Sequence, residues 1–175
     1  AYQRALSRLD DNETATKITR ELWAIPLLKS LGYHLEYTAK AEVVDGQTYA
    51  ISHRAICNNN SSITTADDRV TTTDNKLQIT TADDRVTTTD NKLQISDYPP
   101  VHIIGCRVKL DEKPPSGKPR LSAHSLIQEY LNKTEHLWAI TTNGYRWRLL
   151  RDCSLMTRLS YIEFDLQQIL EGENF

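Results

Sequence analysis

The sequence has little that would crosslink it covalently or place it in a membrane. Its only cysteines are Cys57, Cys106 and Cys153, which lie far apart and form no C-x-x-C pair. This number and spacing support neither a disulfide framework nor a zinc motif. No apolar run approaches the roughly 18 residues that cross a bilayer, and the first residues contain no apolar signal-peptide segment. We therefore expect a reduced, cytoplasmic protein with no membrane partner.

Charge of one sign is also lacking. The 21 Lys and Arg residues nearly balance the 23 Asp and Glu residues, so no global basic field indicates nucleic acid. Basic residues are denser from 133 to 158, where a local basic patch and an ordinary solvated face are both open interpretations. The chain has no initiator Met and opens in a helical pattern, so we expect a fragment of a longer protein.

An identical repeat occupies the middle of the chain. Residues 63–78, ITTADDRVTTTDNKLQ, recur unchanged at 79–94. Each copy has the pattern of two short strands with acidic turns, so we predict a β-hairpin insert over 57–96 in a single domain, 1–175. Two unchanged copies indicate a recent duplication or an error in the recorded sequence, because repeat folds need at least three copies. Contact of this ribbon with a DNA duplex is the alternative, although its Asp-Asp turns would repel phosphate.

Hydrophobic periodicity predicts an α/β (α+β) order of elements. The first is a helix that is kinked at Pro26 and ends at Gly32, followed by a hairpin that turns at Asp45-Gly46 and by a central apolar strand over 101–110. A helix capped by Ser122 comes next, and then two strands joined by Asn143-Gly144. A strand and a helix close the chain. Helix, hairpin, central strand, helix, strand, strand is the order of the restriction-endonuclease-like core. We therefore predict such a mixed sheet flanked by helices.

Active domains of that kind carry an acid on the second strand and (Asp/Glu)-x-Lys on the third. The carboxylates hold Mg²⁺, which activates water, and the lysine stabilises developing negative charge. Asp111 and Lys113 match Asp-x-Lys at the start of a Pro-rich loop, and Asp45 is the acid nearest to the second strand. Asp111 and Asp45 are therefore the candidate metal ligands. Glu21 and Gln128 are further catalytic candidates, with an exposed helix carboxylate as the alternative for Glu21.

Arginines alternate along the predicted strand YRWRLLRD. The period of two places Arg146 and Arg148 on one face and Trp147 on the other. Together with Arg151 and with Lys109 on the central strand, they suit contact with phosphates. Pairing of the arginines with nearby carboxylates is equally compatible with the pattern.

Several segments resemble a known family. The resemblance is carried by ELWAIPLLKSLGY, YAISHRA, PPVHIIGCRVKLD, SAHSLIQEYLNKTEHLWAITTNGYRWRLLRD and SYIEFDLQQILEGENF. Together they resemble the N-terminal region of large bacterial type IIG-like restriction–modification proteins and phage-defence methylases, in which a nuclease-like domain precedes an N6-adenine DNA methyltransferase. The insert at 57–96 departs from this pattern.

The resemblance implies double-stranded DNA as partner and Mg²⁺ for any cleavage. It also implies S-adenosylmethionine as cofactor of a methyltransferase domain elsewhere in the same polypeptide, since this sequence has no Asn-Pro-Pro-Tyr motif. We therefore expect a DNA-engaging domain, with Mg²⁺-dependent endonuclease activity if the metal site is complete. The alternative is a non-catalytic module that docks the methyltransferase or a partner subunit. A basic surface at Arg146, Arg148 and Lys109 would favour the first, and an exposed apolar patch the second.

Overall fold

The computed structural model describes residues 1–57, 98–116, 119–155 and 160–172. Apart from Cys57, the predicted insert with both copies of the repeat lies outside these ranges. No helix within them has both the length and the apolar character needed to cross a membrane.

The described chain contains five α-helices, one π-helical turn and eight strands. The helices are α1 Tyr2–Leu6, α2 Thr16–Thr19, α3 Ile25–Ser30, α4 Ala123–Lys133 and α5 Leu166–Glu171, with the π-helical turn at Arg20–Ala24. The strands are β1 Tyr33–Tyr37, β2 Glu42–Val44, β3 Gln47–Tyr49, β4 His53–Cys57, β5 Pro100–Ile103, β6 Trp138–Thr142, β7 Arg146–Arg151 and β8 Tyr161–Asp165.

Six of the strands form one mixed sheet in the order β1-β4-β5-β6-β7-β8, and β2 and β3 form a separate hairpin. Only β5 and β6 run parallel, with Val101 opposite Ile140, while the other neighbours are antiparallel. A parallel pair requires a crossover connection, and α4 lies in that connection. The prediction of a mixed α/β sheet flanked by helices is confirmed.

Two apolar clusters fix the helices to the sheet. One joins α4 to the hairpin and the sheet, and its members are Tyr49, Ile51, Leu126, Ile127, Tyr130, Leu131, Ala139 and Leu150. The other joins the helical segment around α3 to the sheet, and its members are Ala24, Leu28, Ala55, Val101, Ile103 and Trp147. The predicted helix capped by Ser122 is confirmed as α4, and its apolar residues Leu126, Ile127, Tyr130 and Leu131 are all buried.

The helical segment formed by α2, the π-helical turn and α3 is irregular near Pro26, where the sequence predicts a kink. Its π-helical turn closes with a hydrogen bond from the Ile25 N–H to the Arg20 carbonyl, one residue wider than an α-turn, directly before Pro26. The extra residue rotates the following positions around the helix axis. Leu22 and Leu31 are 43% and 63% exposed, whereas Ala24 and Leu28 of the same helical segment are buried.

The Asp45-Gly46 turn is confirmed, since both residues have positive φ (51° and 76°), as a tight hairpin turn requires. The strands around it differ from the prediction of one long hairpin. The turn joins only β2 and β3, whereas the outer segments become β1 and β4, which pair with each other in the main sheet.

The predicted strand over 101–110 is wrong beyond Ile103, where β5 ends. Gly105 is packed against the backbone of Thr14. The Arg107 guanidinium donates hydrogen bonds to carbonyls of the N-terminal segment, among them those of Asp10 and Glu13. The chain therefore leaves the sheet at this point, and Arg107 holds the N-terminal segment in place.

Gly105→Ala is expected to displace the N-terminal segment, because an added Cβ would lie 1.6 Å from the Thr14 carbonyl oxygen. Overpacking of this severity costs about 3 kcal/mol or more. Urea unfolding and limited proteolysis of the first 16 residues measure the effect. Arg107→Ala loosens the same segment without a clash and is the comparison variant. An unchanged unfolding midpoint for Gly105→Ala would contradict this packing.

Candidate functional site

Two of the predicted DNA-contacting arginines are paired with carboxylates. Arg148, only 6% exposed, donates to both carboxylate oxygens of Asp111 at 2.6 and 2.7 Å and to Glu163 at 2.5 Å. Arg146 donates to Glu163 at 2.6 Å and lies 3.2 Å from an oxygen of Asp165. The β7–β8 register places Arg146 opposite Asp165 and Arg148 opposite Glu163. The alternative of carboxylate pairing therefore holds for both arginines.

This pairing sets the charge of the network. Hydrogen bonds from Arg148 hold the pKa of Asp111 below its ordinary value. Burial alone would raise the pKa of Glu163, but Arg148 and Arg146 outweigh it and lower that pKa. The Asp111 side chain is 66% exposed, yet both its oxygens accept from Arg148. A guanidinium thus stands where the predicted metal ion would bind Asp111, and Lys113 is exposed in the following loop.

The other predicted catalytic residues do not gather around Asp111. Asp45 is exposed in the β2–β3 turn, and Glu21 is exposed in the π-helical turn. Gln128 is buried in α4, where its amide donates to the Arg151 carbonyl at 2.9 Å. Over the described residues no group of three or more His, Cys, Asp or Glu side chains could hold a metal ion. The magnesium site stays a prediction.

Arg151 and Lys109 differ from the paired arginines. Arg151 lies with its guanidinium carbon 5.6 Å from the centre of the Trp138 ring, its cross-strand neighbour, and is exposed. Lys109 is exposed as well. Within the described ranges neither side chain has a carboxylate partner. These two are the predicted DNA-contacting residues that are exposed and have no carboxylate partner among the described residues.

A second ionic network was missed by sequence reasoning. Arg54 on β4 is buried and donates to Glu42 and, at 2.6 Å, to the Tyr130 hydroxyl, which in turn donates to Glu42. His136 lies 3.1 Å from the same guanidinium. Burial would raise the pKa of Glu42, but Tyr130 and Arg54 lower it, and burial raises the pKa of Tyr130 to about 12. A single arginine inside the apolar strand HRAIC is the signal that indicates such a buried pair.

Histidines occupy the neighbouring ends of β4 and β5. The Ser52 hydroxyl donates to the Val101 carbonyl at 3.1 Å and accepts from the Ile103 N–H at 3.0 Å. Its 2.9 Å contact with Nδ1 of His53 is therefore donated by the imidazole, which leaves Nε2 as the acceptor. Burial, and then the charge of Arg20, lower the pKa of His53 to about 4.

His102 on β5 is the second neutral histidine. Burial, and then His53, lower its pKa to about 4, and its buried Nδ1 has no hydrogen-bond partner among the described residues. The adjacent strands β4 and β5 thus carry His53 and His102 at this end of the sheet.

Comparison with protein-family models, curated proteins and solved structures finds no match to this chain. Membership of the restriction–modification family therefore stays a prediction that depends on the quoted segments.

Proposed function

We propose that this chain is the restriction-endonuclease-like domain of a restriction–modification or phage-defence methylase and that it engages double-stranded DNA without cutting it. The observation that supports the fold part is the order of elements. A helix (α3) precedes three antiparallel strands (β1, β4 and β5), and a crossover helix (α4) leads to a parallel strand (β6). This is the order expected for the core that the sequence resembles.

The chemistry of the donors supports the absence of cutting. Hydrolysis by such domains needs carboxylates that converge on Mg²⁺. The second core strand, β4, offers His53 and Arg54, and the third, β5, offers His102. Asp111 is bound on both oxygens by Arg148. The described residues therefore do not fit a resident Mg²⁺ ion, and we derive no catalytic step from one.

Engagement of DNA is supported by the cations that have no carboxylate partner among the described residues. Phosphate contacts come from exposed Lys and Arg side chains and position a protein on the duplex without reading its sequence. Arg151 and Lys109 meet this condition. Arg146 and Arg148 do not, because they are paired with the carboxylates of Asp111, Glu163 and Asp165. We therefore expect weak binding with little sequence preference.

A plasmid assay tests the absence of cutting. Supercoiled DNA incubated with Mg²⁺ or Mn²⁺ is expected to stay intact with the wild-type chain and with Asp111→Ala, while duplex binding persists in both. Asp10→Ala, an exposed acid in the N-terminal segment, is the matched control. Metal-dependent nicking by the wild type that is lost in Asp111→Ala would refute the proposal and restore Asp111 as a catalytic residue.

The docking alternative is favoured by one specific feature, the apolar side chains of β8 and α5. β8 is the last strand of the sheet, and Ile162 and Phe164, which share a face, are 54% and 46% exposed. Ile169 and Leu170 on α5 are also exposed. Contiguous exposed apolar patches are typical of protein–protein interaction surfaces. Unchanged duplex binding in an Ile162→Ser, Phe164→Ser double variant would show that this apolar surface takes no part in DNA binding.

A further inference from the structure

Arg20 belongs to neither of the two ionic networks, and it is not among the site residues predicted from the sequence. Its guanidinium lies over the ring of Tyr37, 5.6 Å from the ring centre, and its side chain is 27% exposed. The nearest carboxylate oxygen, on Glu21, is 3.9 Å away, which is beyond hydrogen-bond distance. Within the described part of the chain its donors therefore meet no acceptor, in contrast to Arg54, Arg107 and Arg148.

The Arg20 side chain is held by its contact with the Tyr37 ring, although its guanidinium donates no hydrogen bond to a described residue. Tyr37 also packs edge-on against His53, with ring centres 5.6 Å apart. Tyr37 is in turn opposite His53 in the β1–β4 register. The serine-bound His53 ring thus supports Tyr37, and Tyr37 supports the guanidinium. Such an arrangement reduces the side-chain entropy that Arg20 would lose on binding a ligand.

We infer that Arg20 and Tyr37, supported by His53, form a binding site for a phosphodiester group of the DNA backbone. A guanidinium held on an aromatic ring presents a planar pair of N–H donors that matches two phosphate oxygens. Tyr37 is 60% exposed, and its hydroxyl is a further donor. This inference rests on the proposed function, because it names the site through which the domain engages DNA.

The surrounding charges favour an anion at this site. Arg20 is close enough to His53 to lower the pKa of the imidazole. The positive potential of Arg20 therefore extends to the first residue of β4. Glu21 is the carboxylate that opposes an anion here, and its separation from Arg20 leaves the guanidinium only partly compensated. A phosphate at Arg20 therefore replaces a weak ion pair with charge-assisted hydrogen bonds.

Fluorescence anisotropy with a labelled duplex of about 20 base pairs tests the site. Arg20→Ala is expected to weaken binding about tenfold and to reduce the slope of log affinity against log salt by about one. Arg8→Ala removes an equal charge from an exposed position on the N-terminal segment and is expected to bind as the wild type. Glu21→Gln removes the opposing carboxylate and is expected to tighten binding about twofold at low salt.

A second readout keeps a folding defect apart from a lost contact. Arg20→Ala is expected to keep the wild-type thermal midpoint, since its guanidinium forms no hydrogen bond with a described residue. The ring proton signals of His53 are expected to shift on addition of duplex to the wild type and to stay unchanged in Arg20→Ala. Wild-type binding with Arg20→Ala equally tight would overturn this site and leave DNA engagement standing. No binding by the wild type would overturn both.

Discussion

Replacement of Arg54 by methionine is expected to lower the free energy of unfolding by about 3 kcal/mol. The change leaves the Glu42 carboxylate and the Tyr130 hydroxyl without the guanidinium that donates to both. Loss of one partner of a buried ion pair costs about 3–5 kcal/mol, because the other charge stays desolvated. We expect the lower end of this range, since the Glu42 side chain is still 36% exposed.

Urea unfolding measures this change, with Arg8→Met as the control for the substitution itself. The double variant Glu42→Gln, Arg54→Met removes the orphaned charge and is expected to recover part of the loss, which a double-mutant cycle quantifies. A stability change below about 1 kcal/mol for Arg54→Met would show that the network contributes little.

Mild acid is expected to destabilise the domain strongly through His53 and His102. Each has a pKa of about 4 in the folded chain, against about 6.5 when unfolded. At a pH between these two pKa values, each histidine is protonated in the unfolded state and neutral in the folded state. The contribution is therefore fully present above pH of about 6.5 and is lost as the pH falls towards 4, by up to roughly 3 kcal/mol for each histidine.

Urea midpoints at pH 7, 5.5 and 4.5 measure this pH dependence. His102→Leu removes a buried imidazole whose Nδ1 has no partner in the described part of the chain, and it is expected to flatten the dependence between pH 6.5 and 4.5. His34→Leu, at an exposed position of β1, is expected to leave the dependence unchanged. Equal stability of the wild type at pH 7 and pH 4.5 would contradict the neutral, buried state of these histidines.

Local signals predicted the parts of the fold that depend on neighbouring residues. Ser122 caps α4 by accepting from the Ser125 N–H at 3.2 Å. Gly144, with φ of 90°, turns the chain between β6 and β7 as the Asn-Gly pair indicates. Both features follow from the conformational preferences of two to four consecutive residues.

Contacts between distant residues account for what the sequence did not predict. β5 ends early because Gly105 and Arg107 hold the N-terminal segment, about 90 or more residues away in the chain. The charge of Arg148 is neutralised by Asp111 and Glu163, which come from a loop and from the next strand. Alternation along β7 placed Arg146 and Arg148 on one face correctly, but a strand pattern carries no information on which acids another element brings to that face.

Salt-dependent duplex binding by the wild-type chain tests the central claim most directly. Anisotropy of a labelled duplex is measured from about 50 mM to about 300 mM NaCl, without divalent metal. We predict saturable binding at the lowest salt and a linear fall of log affinity with log salt, with a slope that corresponds to a few phosphate contacts. Absence of binding at about 50 mM salt would contradict DNA engagement and leave the exposed surface of β8 and α5 as the basis of function.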